Sequence, residues 1–299
     1  MILTLLAAAA LQPTTVVTVD PKHRLIEGVA SDGKTMWLSS LIDRQILACR
    51  KKSCKTLATL PEGLHPFAIT WDSSRKYLWV AADCPPGVSF IKACLAGAVM
   101  AYDAKGKVRA RIGPTVGDFH PGDVSAADGQ VFVSDSQNGM VFRLTSSGKA
   151  LMAIVLPGVG KSAQGSAYDK ANNRLIVADY SQGITAIDLA TNARTLLLRD
   201  NDRPLRGIDG LIRCGSGFLG VYNGQAPGGL VAFTVEGGKL KLRDPAEGYA
   251  TVDPTQVASD GQRLLVVPNA GWEAALKSDA PRAEGAAIHS FPLAAVCPP

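Results

Sequence analysis

The sequence predicts an all-β protein, a six-bladed β-propeller with four antiparallel strands in each blade. Its 299 residues include 30 Gly and 18 Pro, a content that favours many short strands joined by turns. A unit of short apolar strands recurs six times, and successive units start 40, 56, 41, 45 and 46 residues apart. This period is typical of propeller blades.

Each unit starts with a short apolar strand that runs into a turn, and the clearest copies end at Asp32-Gly33 and Asp128-Gly129. In a propeller the first strand of each blade lines the central channel. Alignment of the units on the turn therefore predicts that six side chains meet near the mouth of the channel: Glu27, Phe67, Asp123, Gln164, Asp209 and Thr255.

The sixth unit shows only three strands and ends near Phe291. Residues 15–19 form an additional strand before the first unit, and its pairing into the last blade would close the ring and remove two open edges. We therefore expect residues 13–299 to form a single domain. Residues 84–96 and 270–285 are longer insertions, which we expect to project as loops.

The chain begins with an apolar run that is too short to span a bilayer as a helix. We interpret residues 1–12 as a signal peptide with Ala8-Ala9-Ala10 as the cleavage region, although no basic residue precedes the run. The alternative is a floppy N-terminal tail. A signal peptide would direct the protein to the periplasm or outside the cell.

Six cysteines support export, because their spacings suit disulfides and no Cys-x-x-Cys pair is present. One pair flanks a short basic turn, and another brackets the first insertion. The third follows by elimination only, since six cysteines allow fifteen pairings. The predicted pairs are Cys49–Cys54, Cys84–Cys94 and Cys214–Cys297. The alternative is a set of buried free thiols in a cytoplasmic protein.

The formal net charge of +5 is spread along the chain, and Arg50-Lys51-Lys52 is the one tight basic run. It lies between two predicted strands, as expected for a solvated hairpin turn. The charge pattern therefore gives no support to nucleic-acid or membrane binding. We expect a monomer that binds a small molecule.

Three of the six side chains predicted at the mouth are acids, and Gln164 and Thr255 are polar. Carboxylates held close together repel one another unless they bind protons or a cation. Oxygen ligands without Cys or His favour a hard divalent ion, and Ca²⁺ is the natural candidate. The alternative is a water-filled tunnel. Second strands end at the same mouth and offer a possible outer shell: Asp83, Asp135, Asp179, Asn223 and Asn269.

Two histidines, His65 and His120, each come just before a first strand and are candidates for substrate contact at the mouth. His120 is also a candidate general base, and the alternative for both is a structural role beside Pro66 and Pro121. The sequence has no Gly-x-Ser-x-Gly elbow and no His-Glu-x-x-His pair. These absences argue against a serine hydrolase and a zinc protease.

Three stretches carry a family resemblance: EGVASDGKTMWLSS, SAQGSAYDKANNRLIVAD and IDGLIRCGSGFLGVYNG. They resemble the senescence-marker-protein/gluconolactonase (regucalcin-like) family of six-bladed propellers and, more distantly, the paraoxonases. The resemblance implies that Glu27, Gln164 and Asp209 bind a divalent metal. It also implies that Asp209 accepts a proton during lactone hydrolysis.

The chain departs from the family pattern at four positions. Gln164 stands where the family has a metal-binding Asn, and Asp123 stands where a substrate-binding Asn is usual. Pro121 replaces an Arg found in vertebrate members, which argues against a sugar lactone as the substrate. Phe67 falls at the position of the catalytic His of the paraoxonases.

The sequence therefore predicts an exported, calcium-dependent hydrolase of lactones or related esters. Asp209 or Asp123 would draw a proton from the attacking water. The predicted substrate-binding residues are Asp123, His120, His65 and Asn223. The alternative is a non-catalytic propeller that binds a small ligand or a protein at the same mouth.

Overall fold

A computed structural model describes residues 11–113 and 118–299. Except for its last two residues, the predicted signal peptide lies outside this part of the chain. The described residues form six sheets, and the predicted fold of six antiparallel blades is confirmed. Strands are numbered in chain order from β1 (Thr14–Thr18). No helix among the described residues is long and apolar enough to cross a membrane.

The first three blades follow one another along the chain, each with its strands in sequence order. Blade 1 contains β2 (Ile26–Ser31), β3 (Met36–Ser40), β4 (Gln45–Arg50) and β5 (Ser53–Thr59). Blade 2 contains β6 (His65–Asp72), β7 (Tyr77–Asp83), β8 (Ala98–Asp103) and β9 (Val108–Ile112). Blade 3 contains β10 (Pro121–Ala127), β11 (Gln130–Asp135), β12 (Val141–Leu144) and β13 (Leu151–Val155).

Blades 4 and 5 continue this plan, and a short strand from the connection joins the outer edge of blade 5 in parallel. Blade 4 contains β14 (Ala163–Asp169), a 3₁₀ turn (Lys170–Asn172), β15 (Arg174–Asp179), β16 (Gly183–Asp188) and β17 (Arg194–Leu196). The additional strand is β18 (Leu198–Arg199). Blade 5 contains β19 (Ile208–Cys214), β20 (Gly217–Tyr222), β21 (Gly229–Glu236) and β22 (Lys239–Arg243).

The last blade closes the ring with the N-terminal strand, as predicted. β1 pairs antiparallel with the third strand of the sixth blade, so that Thr14 lies opposite Ser290. This pairing provides hydrogen-bond partners for the edge of β25, which would otherwise be open. Blade 6 and the C-terminal region contain β23 (Val257–Ser259), β24 (Arg263–Val266), α1 (Trp272–Lys277), β25 (Ala287–Pro292) and α2 (Leu293–Val296).

The core lies between the blades, where apolar side chains of neighbouring sheets meet. Trp37, Trp79, Phe132, Phe218 and Phe291 are less than 2% exposed. Both faces of an inner sheet are covered, which explains why the strands read as nearly continuous apolar runs.

All six cysteines form disulfides in the pairs predicted: Cys49–Cys54, Cys84–Cys94 and Cys214–Cys297. The first staples the hairpin between β4 and β5, where the two residues lie directly opposite each other. The third joins the end of β19 to Cys297, the residue that follows the C-terminal helix α2. The free-thiol alternative is therefore wrong.

Candidate active site at the channel mouth

A β-bulge at the mouth end of each of the first five blades sets the direction of the site residues. At each bulge two residues of the first strand lie opposite one residue of the second strand, and such bulges redirect side chains. The first-strand pairs are Glu27-Gly28, Phe67-Ala68, Gly122-Asp123, Gln164-Gly165 and Asp209-Gly210. The first residue of each pair, together with Thr255 of blade 6, forms the ring at the mouth.

The second bulge residue abuts the neighbouring blade, and this contact explains why it is usually small. A Cβ added to Gly165 would lie 2.3 Å from the backbone nitrogen of Leu211. A Cβ added to Gly210 would lie 2.8 Å from Cα of Gln256. Close backbone packing between blades therefore requires glycine at these two positions.

The bulge register corrects one prediction, because Asp123 does not occupy the ring position. Gly122 is the equivalent of Glu27, and Asp123 occupies the second position of its bulge. Both strands end at the turn, with Ala127 in blade 3 and Ser31 in blade 1. The segment from the bulge to this last residue is one residue longer in blade 3 than in blade 1. Alignment on the Asp-Gly turn is therefore out by one residue in blade 3.

Asp123 faces the central channel inside the ring and is 7% exposed. It lines a cavity of about 220 Å³ to which the first strands of all six blades contribute. Burial, followed by the charge of Asp209, raises the pKa of Asp123 well above its usual value. The two acids thus lie close enough to influence each other, although they occupy different positions in their bulges.

Asp209 is a half-buried carboxyl at the start of β19. Burial raises its pKa to about 7, and the nearby charge of Asp253 acts in the same direction. The side-chain amide of Asn223 donates to Asp209 Oδ2 at 3.0 Å, which opposes the rise. The same amide donates to the Pro254 carbonyl at 3.0 Å and so holds Asn223 between two blades.

Glu27 is the second ring acid and accepts a hydrogen bond from outside the ring. Trp272 Nε1 donates to Glu27 Oε2 at 2.8 Å. Burial raises the pKa of Glu27 well above its usual value, and the charges of Asp209, Asp253 and Asp123 add to the effect. These acids are thus close enough to repel one another, as the sequence predicts.

Asp253 belongs to this group and was missed by sequence alignment. It lies two residues before the ring position of blade 6, and its Oδ2 accepts from the backbone nitrogens of Gly271 at 3.0 Å and Trp272 at 2.8 Å. The sequence feature that could have revealed it is the acidic residue of Asp253-Pro254, which comes immediately before the aligned Thr255. It therefore serves both as a charge at the site and as an anchor for the second insertion.

Gln164 and Thr255 complete the polar part of the ring. The side-chain amide of Gln164 donates to Ser162 Oγ at 3.3 Å. The hydroxyl of Thr255 donates to the backbone carbonyl of Glu27 at 2.7 Å and so ties blade 6 to blade 1. The neighbouring Gln256, also missed, accepts at Oε1 from the Val29 backbone nitrogen at 2.7 Å.

The two histidines have separate environments. His65 is 4% exposed, its Nδ1 lies 2.9 Å from the Leu41 carbonyl, and burial lowers its pKa. His120 is more exposed, and its Nδ1 lies 3.0 Å from Asp83 Oδ2. Burial raises the pKa of Asp83. His120 is thus positioned by a carboxylate, whereas His65 is held by backbone inside the fold.

Two acids that sequence reasoning assigned to an outer shell stabilise turns instead. Asp135 Oδ1 accepts from the backbone nitrogens of Gln137 and Asn138. Asp179 Oδ1 accepts in the same way from Ser181 and Gln182. Their carboxylates therefore organise the turns after β11 and β15. Of the proposed outer shell, Asn223 is the residue that contacts a ring acid.

The donor set at the mouth fits a hard divalent cation in its chemistry. Glu27, Gln164 and Asp209 offer oxygen ligands, and the buried Oδ1 of Asn223 has no hydrogen-bond partner among the described residues. The mutual repulsion of the acids would also be relieved by a positive charge. Among the described residues, however, no three His, Cys, Asp or Glu side chains come together as a metal-binding group.

The sequence matches no protein-family model and no curated protein. Solved structures do match it along most of its length. A gluconolactonase from Xanthomonas campestris is 16% identical with a TM-score of 0.61, over 93% of this chain and 88% of that chain. The calcium-binding protein regucalcin from Agrobacterium tumefaciens is 13% identical with a TM-score of 0.59, over 95% of each chain.

The major allergen Mala s 1 of Malassezia sympodialis is equally similar. It is 15% identical with a TM-score of 0.63, over 95% of this chain and 96% of that chain. These likenesses confirm the resemblance to gluconolactonase and regucalcin structures at the level of the propeller fold. One fold hosts many functions, so the function depends on the residues of the site.

Proposed function

We propose that residues 13–299 form a single-domain, monomeric hydrolase of lactones or related esters, with its active site at the channel mouth. The observation that carries this proposal is Asp209, a half-buried carboxyl whose pKa is raised to about 7 and which Asn223 orients. A general base works best when its pKa lies near the working pH. The similarity to a solved gluconolactonase supports the substrate class.

Asp209 is the proposed general base, which takes a proton from the attacking water at its carboxylate. The Asn223 amide holds Oδ2, so that the other oxygen of Asp209 is left for the water. Asp123 is less suited to this role, because it lies inside the ring and is only 7% exposed. It contributes a second carboxyl whose ionisation is coupled to that of Asp209.

Glu27, Gln164 and Asp209 are the residues proposed to hold a divalent cation, with Ca²⁺ as the preferred ion. When bound, such an ion would polarise the substrate carbonyl and offset the charge that develops on its oxygen. Regucalcin, a structural neighbour, is a calcium-binding protein, which supports the choice of ion. His120 and Asn223 are proposed substrate contacts at the rim. His65 is less suited to substrate contact, because it is 4% exposed and held against the Leu41 carbonyl.

Export to the periplasm or the cell exterior is part of the proposal. Three disulfides tie together parts of the chain that are 5, 10 and 83 residues apart. Disulfides persist in oxidising compartments and are rare in the cytosol. The predicted signal peptide would supply the route, and its cleavage can be checked by mass spectrometry of the exported protein.

The test is hydrolysis of a lactone and ester panel by the purified protein with calcium. We expect Asp209→Asn to lower kcat by about 100-fold or more, as is usual when a general base is lost. Chelation should also abolish turnover. Asp202→Asn, at an exposed salt bridge on the outer edge of blade 5, is the matched control. Turnover that survives both Asp209→Asn and chelation would rule out this mechanism.

A second candidate is a propeller that binds a ligand at the same mouth without hydrolysing it. The hydrogen bond from Trp272 to Glu27 favours it, because one predicted metal ligand is already engaged by the protein. No shift in Tm at millimolar calcium, together with no turnover of any lactone or ester, would support this candidate.

A further inference from the structure

The two long insertions pack against each other and form a cap, defined as residues 84–96 and 270–285, on one side of the mouth. Val88 of the first insertion and Ala275 of the second belong to one apolar cluster, and Phe90 and Trp272 pack against it. A Cβ placed on Gly87 would lie 3.2 Å from Leu276 Cδ2, so the insertions are in contact.

The cap is anchored at both of its insertions. The Cys84–Cys94 disulfide joins the ends of the first. In the second, Arg282 donates to the backbone carbonyls of Asn269 at 3.0 Å and Ala270 at 3.2 Å. These contacts, together with the apolar packing between the insertions, indicate that the cap is held in one position beside the mouth.

Trp272 connects the cap to the ring. Asp253 holds its backbone nitrogen at 2.8 Å, and its indole nitrogen donates to Glu27 at 2.8 Å. Its ring centroid lies 6.1 Å from that of Phe67, which is the ring residue of blade 2. The two half-buried aromatic rings therefore form one apolar surface at the rim.

The ring positions of blades 3, 4 and 5 carry no aromatic side chain. Blade 3 contributes Gly122, which has no side chain, and blades 4 and 5 contribute Gln164 and Asp209. The mouth thus has an aromatic side formed by Phe67 and Trp272 and a polar side that includes the proposed base. A substrate that spans the mouth meets both sides.

We propose that the site selects lactones or esters that carry an apolar or aromatic substituent, which packs on Trp272 and Phe67 while the carbonyl faces Asp209. A polyhydroxylated substrate is disfavoured, because hydroxyl groups pressed against two aromatic rings lose water without gaining hydrogen bonds. This inference rests on the proposed function for its carbonyl chemistry. The apolar surface formed by Trp272 and Phe67 does not depend on that function.

Binding is tested with two unreactive lactams of the same ring size, one with a phenyl substituent and one polyhydroxylated, by calorimetry on the full-length protein. We expect the phenyl lactam to bind at least about tenfold more tightly, in the range that one apolar contact contributes in a pocket. Trp272→Ala should remove about tenfold of this affinity. It should change binding of the polyhydroxylated lactam by less than about twofold.

Two further variants distinguish the effect of the apolar surface formed by Trp272 and Phe67 from the effect of the hydrogen bond to Glu27. Trp272→Phe retains an aromatic surface but loses the indole donor, so it should keep the preference for the phenyl lactam. Phe67→Thr removes the other ring and leaves the sequence of both insertions and the Trp272–Glu27 hydrogen-bond partners unchanged, so it should weaken that preference. Leu242→Ala, at a 41% exposed side chain on the outer edge of blade 5, is the control for loss of an apolar residue.

The matching pair of lactones separates this inference from the proposed function. Preferential binding of the phenyl lactam without hydrolysis of either lactone would overturn the hydrolase and leave the substrate preference standing. Hydrolysis with preference for the polyhydroxylated lactone would overturn the preference and leave the hydrolase standing. Failure of the phenyl lactam to bind, or equal binding of both lactams, would also overturn the preference.

Discussion

The side-chain amide of Asn223 donates to Asp209 Oδ2 at 3.0 Å and at the same time to the Pro254 carbonyl of the next blade at 3.0 Å. A side chain at the end of β20 therefore fixes the proposed base relative to blade 6. This bond stabilises the charged form of Asp209, whereas burial and the charge of Asp253 stabilise the neutral form. The balance leaves the pKa of Asp209 at about 7.

We expect the rate of lactone hydrolysis to rise with pH, because the base acts in its deprotonated form. In the calcium-loaded protein the midpoint should lie below the value of about 7 that the metal-free chain gives Asp209, because a bound cation stabilises the carboxylate. Asn223→Ala removes a donor that lowers the pKa of Asp209, so the midpoint of this rise should move to higher pH. The measurement is kcat/KM from pH 5 to 9 for both proteins. A midpoint that stays in place or falls in Asn223→Ala would contradict the assigned role of Asn223.

Asp123→Asn should retain activity within about fivefold, whereas Asp209→Asn should lose about 100-fold or more. The reason is that Asp123 lies inside the ring and is only 7% exposed, so its carboxyl is poorly placed to contact the attacking water. Single-turnover kinetics of both variants at pH 7.5 provide the comparison. The reverse order of the two losses would assign the base to Asp123.

The stability that Asp209 contributes to the metal-free protein should fall as the pH rises from about 4 to 7. Asp209 has a higher pKa in the folded chain than its ordinary 3.8, so the native state binds more protons than the unfolded state in this range. Loss of these protons then destabilises the fold. Scanning calorimetry at several pH values measures the effect, and Asp209→Asn should flatten the profile.

Calcium bound at the proposed site should restore this stability at pH 7 and above, because the ring of oxygen ligands exists only in the native state. At 100 times its dissociation constant a ligand stabilises by about 2.7 kcal/mol. The double variant Glu27→Gln, Asp209→Asn should show no shift in Tm, while Asp202→Asn should respond like the parent protein. Equal shifts in all three proteins would place the calcium site elsewhere.

Gly165→Ala should destabilise the fold by about 1 to 3 kcal/mol, as overpacking of a core usually does. The added Cβ would lie 2.3 Å from the Leu211 nitrogen and 2.5 Å from the Asp209 carbonyl oxygen, so blade 5 would have to move. Urea unfolding measures the loss, and activity should fall with it. Unchanged stability would show that the blades are not in tight contact at this bulge.

Removal of the Cys214–Cys297 disulfide should cost more stability than removal of Cys49–Cys54. The two bonds join residues that are 83 and 5 apart, and the entropy of loop closure predicts about 4 to 5 kcal/mol and about 2 kcal/mol respectively. Double Cys→Ser variants of each pair, unfolded in urea, give the comparison. Equal losses would point to packing around the sulfurs instead of chain entropy.

The sequence by itself predicted the cysteine pairs, the third by elimination only. It determined the number of blades and the closure of the ring. These features depend on the spacing of apolar strands and turns, and that spacing is read along the chain. It also identified Glu27, Gln164 and Asp209 as ring residues, since each lies at the same distance from a repeated turn. Asn223 followed from the same repeat, because it ends the second strand of its blade.

The tertiary structure alone decided the register of Asp123, the place of Asp253 and the role of Trp272. A bulge shifts a side chain by one position without altering the apolar pattern around it, so alignment on a turn could not place Asp123. The bond between Trp272 and Glu27 joins residues 245 positions apart, and no local spacing encodes such a contact. Closure of the ring places the first and last blades side by side, and there Glu27 of blade 1 meets Trp272 of the cap.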